Sequence, residues 1–240
     1  MQKNSTQKKF PAFLKNLRLL FSIFCLLAGT ANAQVYINGN LSTGTIASSG
    51  EAAPPGTTWS EIQSGNTIAG FSSGLVANIA VADDFTVPAG ATWNISSLTF
   101  YAYSTNYAGT TSPFDDLRIR IFDTDPSVGN PTPIFGDLTT NRLTSSSFAN
   151  MYRIFNATVG TTRMIWDLNA SVSLSLTAGT YWIQWQTGTT LAANWTPPST
   201  VVGTVTQPGN NGLQLDLSTN SWTPLLDGPQ QQIRRTFLLK

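Results

Sequence analysis

Histidine is absent from all 240 residues, and Cys25 is the only cysteine. Without imidazole there is no Ser-His or Cys-His nucleophile pair, no histidine general base and no imidazole metal ligand, so hydrolases of those kinds are excluded. Beyond Lys15 the only lysine is Lys240, and the arginines are few and scattered. Phosphate neutralisation needs a cationic stripe, so nucleic acid is not expected as a partner. No segment after residue 33 offers eighteen consecutive apolar residues, so no membrane span is expected in the mature chain. Nor does that part of the chain sustain a 3.6-residue apolar period over three turns, and helix is expected to be minor.

What is present begins with a basic stretch, Lys3, Lys8, Lys9, Lys15 and Arg18, ahead of the short apolar run from Leu19 to Leu27. Ala31-Asn32-Ala33 follows, the small-x-small pattern of a signal peptidase site. Residues 1–33 therefore read as a cleaved signal peptide, and the protein as exported: extracellular, cell-surface or periplasmic. Cys25 follows bulky Phe24 inside the apolar run, which argues against a lipid anchor. Removing the segment leaves eight basic against twelve acidic residues, a net charge of −4.

Residues 34–77 are rich in Gly, Ser, Thr and Ala, and are expected to hold loose loops with one or two strands. From residue 78 to 240, segments rich in Val, Ile, Thr and aromatics alternate with turn clusters such as Pro88-Ala-Gly90 and Gly129-Asn130-Pro131. That spacing predicts an all-β domain: a two-sheet antiparallel β-sandwich, jelly-roll-like. Period-two alternation splits three strands into faces. Leu98, Phe100 and Ala102 are predicted inward, as are Leu117, Ile119 and Ile121, and Tyr181, Ile183 and Trp185. Their outward partners are Tyr101 and Tyr103, Arg118 and Arg120, and Trp182 and Gln184.

Val81-Ala-Asp-Asp-Phe-Thr-Val-Pro88, Asp123-Thr-Asp-Pro-Ser127 and Ala178-Gly-Thr-Tyr-Trp182 resemble motifs of a group of exported bacterial jelly-roll proteins, similar in outline to carbohydrate-binding-module sandwiches. The resemblance covers residues 81–240. It implies the fold and an exported life, and it carries no catalytic residues with it.

The carboxylates fall in pairs, Asp83-Asp84, Asp115-Asp116 and Asp123 with Asp125. With histidine and mature cysteine absent, any divalent metal is expected to be calcium on oxygen ligands, with Asp123 and Asp125 as the first candidates. The plainer reading is that these aspartates accept bonds from turn amides. A glycoside hydrolase needs two carboxyls held about 5–10 Å apart across a sugar. Adjacent strand residues such as Asp83 and Asp84 point to opposite faces, which makes that the least favoured reading. Trp93, Trp166, Trp195 and Trp222 read as core or turn packing.

No catalytic set emerges, and the expected function is non-catalytic: a binding or surface-interaction module, with a glycan or cell-surface component as partner. Tyr101, Tyr103, Arg118, Arg120, Trp182 and Gln184 are its candidate ligand-binding residues, provided their three strands lie side by side. Aromatic rings would stack on sugar while Arg and Gln donate to hydroxyls. The alternative is a purely structural surface or extracellular scaffold.

Overall fold

The computed structural model describes residues 35–155, 158–191, 193–204, 209–227 and 237–239. The expected signal peptide lies outside the described residues. Among the described residues there is no helix. Twelve strands form the fold: β1 (Tyr36–Ile37), β2 (Thr58–Glu61), β3 (Phe71–Ser72), β4 (Ile79–Tyr103), β5 (Phe114–Phe122), β6 (Phe135–Asp137), β7 (Leu143–Ile154), β8 (Met164–Thr189), β9 (Trp195–Thr196), β10 (Leu213–Asp216), β11 (Ser221–Pro224) and β12 (Phe237–Leu239).

Two of them organise the rest. β4 has 25 residues and β8 has 26, and they pair antiparallel from Val81↔Trp185 to Tyr103↔Ile165. Strands usually run 3–10 residues, and this pair is not regular throughout. Its register shifts between Val87 and Thr92 and again between Ile95 and Ser97. The first irregularity falls at Pro88-Ala89-Gly90. Proline offers no amide to the ladder, and Gly90 sits at φ +77°, where a side chain would be strained.

The pair thereby carries two arms. At one end β10 joins β4 and β5 joins β8, with β11 and β6 outermost. At the other end β12 and β1 lie beside β4, while β7 and then β2 lie beside β8. β2 runs parallel to β7, with Thr58 opposite Met151.

All three predicted inward sets are buried, and they come from both arms. Ile119, Ile183 and Trp185 from the first arm and Leu98, Phe100, Leu168 and Phe237 from the second belong to one apolar cluster. Its centre is aromatic: Trp185 lies 4.9 Å from Phe100 and 6.0 Å from Phe237, ring centre to ring centre. Each such side chain contributes about 1.5–3 kcal/mol on burial.

The all-β class is as expected, with strands and no helix among the described residues. The strands form one hydrogen-bonded sheet, mixed and open. Because β4 and β8 run through both arms, the ladder continues from one to the other.

The segment 35–77 supplies three short strands and also covers part of the second arm's outer face. Leu41 packs with Tyr103 and Ile165, and Trp59 with Ala47 and Ile154. One charged group is enclosed there. Arg153, on β7, is 1 % exposed and donates from Nε to the Ala69 carbonyl (2.8 Å) and from Nη1 to Ser60 Oγ (2.9 Å). Asp227, also buried, accepts from the Thr67 amide (2.7 Å) and hydroxyl (2.9 Å) of the same loop.

Surface turns are tied by aspartates. Asp137 accepts bonds from the hydroxyl and amide of Thr139, both 2.8 Å, and from the amide of Thr140. The Thr139 hydroxyl first, and then the two amides, hold this carboxyl well below the usual carboxylate range. The Ser218 amide likewise lowers the pKa of Asp216. Folded-state values lie below the unfolded value of about 3.9, so both groups contribute stability at pH above about 4 and lose it as pH falls further. Asp137→Asn is expected to shrink the drop in urea midpoint between pH 5 and pH 2. An unchanged drop would show that this turn does not contribute.

Candidate functional site

The first arm brings four of the six candidate ligand-binding residues together. In the β5–β8 register Arg120 stands opposite Gln184 and Phe122 opposite Trp182, with Arg118 opposite Gln186 one step along. Tyr101 and Tyr103 are elsewhere. They lie on the second arm, paired with Asp167 and Ile165 of β8. The six therefore do not form one patch, because β4 and β8 each contribute one stretch to either arm.

The exposure expected of these residues also needs correction. Trp182 is 7 % exposed and packs against Ala82, Phe122 and Leu213, with Trp222 alongside. The β10–β11 hairpin extends the sheet next to β4 and brings Leu213 and Trp222, so the indole serves as packing and not as an open platform. Tyr103 is buried under Leu41, and its hydroxyl and ring would lie within 2.9 Å of a Cβ added at Gly70. Tyr101 is half-buried; burial, and secondarily the Asp167 carboxylate, raises its phenol pKa.

What remains on the first arm is polar. Arg118 is half-buried, ion-paired with Asp116 at 3.0 Å and bonded to the Leu138 carbonyl at 2.8 Å. Arg120 donates from Nε to Gln184 Oε1 at 2.8 Å, and its guanidinium lies 5.5 Å from the Phe122 ring centre. Among the described residues it has no carboxylate partner. Burial lowers its pKa. Gln184 is fully buried, and its Nε2 has no hydrogen-bond partner among the described residues.

The carboxylates serve the fold. Asp125 accepts from the amide (2.8 Å) and hydroxyl (2.7 Å) of Ser127, an Asx-turn, and Asp123 is exposed. Among the described residues no group of three or more acidic side chains gathers as a metal site would. Asp83 faces inward beside Ile183, accepts from Asn38 at 3.3 Å and caps the Asp84 amide at 2.9 Å. Glu61 is buried and receives the amide (2.8 Å) and hydroxyl of Ser48.

A concave site lies where β3, the turn after it, the end of β8 and the start of β9 meet. It encloses about 250 Å³, lined by Ser72, Leu75, Val76, Thr189, Asn194 and Trp195 among others. Gly74 lies next to Asn194 in this turn. Asn194 is oriented by Thr187, donating to its carbonyl (2.8 Å) and accepting from its hydroxyl (2.7 Å). Thr187 Oγ1 also lies 3.1 Å from Ser73 Oγ, itself 2.7 Å from Thr196 Oγ1, and all three side chains are fully buried.

The sequence reading missed this site, treating Trp195 as packing. One signal was available: Pro197-Pro198 directly after Trp195-Thr196 ends the strand, leaving the indole at a sheet end next to loops.

Fold and site together define an all-β protein with a mixed, open sheet, a polar arginine–glutamine face on one arm and a small concave site at a sheet end. No protein-family model, curated protein or solved structure matches the chain.

Proposed function

We propose that this chain is an exported, non-catalytic binding module for glycans, and we read its two facing arms as a jelly-roll-like β-sandwich. The observation that carries the binding reading is Arg120. Its guanidinium is oriented by Gln184, rests near Phe122 and has no acidic partner among the described residues. Such a group retains donors for ligand hydroxyls or carboxylates. Asp83, Asp125, Asp137, Asp216, Asp227 and Glu61 are engaged in turns and loop anchors, which supports binding over hydrolysis.

A glycan array probed with wild type and Arg120→Ala tests this. Binding by wild type, weakened about tenfold or more in the variant, is the expected result, since hydrogen bonds to charged groups are worth about 1.5–3 kcal/mol. The burial of Trp182 favours a second reading, a structural scaffold. Wild-type silence across the array would select it.

A further inference from the structure

We propose that the cleft at Trp195 is a second binding site, one that takes a single neutral pyranose ring. This goes beyond the Arg120 face, shares no residue with it and stands or falls separately.

Size comes first. About 250 Å³ is less than the roughly 300–1,000 Å³ of sites that engulf drug-sized ligands. A volume of that order has the room of one ring and not of a chain. The lining comes second. Ser72, Gly74, Leu75, Val76, Ala77, Thr189, Leu191, Asn194 and Trp195 include no charged side chain, so an ionised ligand would be desolvated there without compensation. Among them, half-buried Trp195 provides an aromatic wall, and apolar Leu75 and Leu191 stand near amide and hydroxyl groups. A pyranose has the matching duality, with C–H groups on its faces and hydroxyls around its rim.

Preorganisation is the third argument. Asn194 has both ends of its amide held by Thr187, which leaves one N–H and one lone pair in a set direction. Thr189 Oγ1 accepts from the Leu191 amide at 3.1 Å and keeps its own proton to donate. Behind them, the chain of hydroxyls through Thr187, Ser73 and Thr196 is fully buried. Apolar residues would fill that space without desolvating three hydroxyls. The network's consequence is a fixed Asn194 on the cleft wall. Trp195 packs against the cluster of Leu41, Tyr103 and Ile165, and the chain passes close beside it at Gly70, where an added Cβ would lie 2.8 Å from the Trp195 Cβ.

The test is calorimetric titration of the full mature chain with methyl α- and β-pyranosides of glucose, galactose and mannose, with tryptophan fluorescence in parallel. At least one glycoside should saturate at one equivalent and change the emission. Trp195→Leu should weaken it tenfold or more. Since Trp195 also packs against Tyr103, Ala77→Trp provides the control for folding: Ala77 is exposed at the cleft, so an indole there should block the ring while the melting temperature stays at the wild-type value. Arg120→Ala should bind these glycosides as wild type does. Saturation by none of the six, or unchanged affinity in Ala77→Trp, overturns the proposal. So does loss in Arg120→Ala with retention in Trp195→Leu, which would place the sugar on the first arm.

Discussion

Trp185→Ala is expected to cost about 3–5 kcal/mol, the range for deleting a large aromatic side chain from a closed core. Trp185 is fully buried, and its ring meets Phe100 at 4.9 Å and Phe237 at 6.0 Å. Phe100 and Phe237 belong to the second arm and Trp185 to the first, so the cavity would open where the arms meet. Trp185→Phe should behave very differently. The indole Nε1 is buried without a hydrogen-bond partner among the described residues, and leaving such a donor unpaired costs about 1–3 kcal/mol. Phenylalanine removes that cost while keeping most of the ring, and less than half of the alanine effect is expected. Urea unfolding of the two variants decides the matter through the midpoint, provided the m-value is unchanged. Equal losses in both would show that volume alone governs this position.

Arg153→Ala is expected to lose a similar amount, about 3–5 kcal/mol, for another reason. Burial pushes the Arg153 pKa down to about 10, against the smaller opposing influence of Tyr103 and Asp227. Keeping the group charged at neutral pH therefore costs about 3 kcal/mol, at about 1.4 kcal/mol per unit. Its bonds to the Ala69 carbonyl and Ser60 hydroxyl offset that cost. Removing the guanidinium strands those acceptors, leaves buried Asp227 without its nearby cation and opens a void of arginine size. The loop through Thr67 and Ala69 leads into β3, whose Ser72 lines the Trp195 cleft. Protease sensitivity in residues 62–70 should therefore rise, and sugar affinity fall, at temperatures where the variant is still folded. Thermal unfolding at the wild-type temperature, with no new cleavage in that loop, would refute this account.

Period two made much of the core readable. Leu98, Phe100, Ala102, Leu117, Ile119, Ile121, Ile183 and Trp185 alternate with polar or aromatic neighbours, and all are buried. The converse inference failed at Trp182, Gln184 and Tyr103, because alternation reports only that two faces differ. A second apolar layer can cover the outer face as well. Here Leu213 and Trp222 reach Trp182, and Leu41 reaches Tyr103, from sequence positions with no local signal of the contact.

The amino-acid sequence by itself determined the chemistry available and the class of fold. Missing histidine removed whole families of catalysis, and β-branched and aromatic alternation broken by turn residues is a local, short-range property that dictates strands. Which strands neighbour one another was decided only in three dimensions. Pairing of β4 with β8 joins residues some sixty to a hundred positions apart, and such partners are chosen by the fit of side chains across the whole sheet, which no short window contains. The same long-range pairing split the six candidate residues between two arms. It also gathered Ser72, Thr189, Asn194 and Trp195 from separate segments into one cleft.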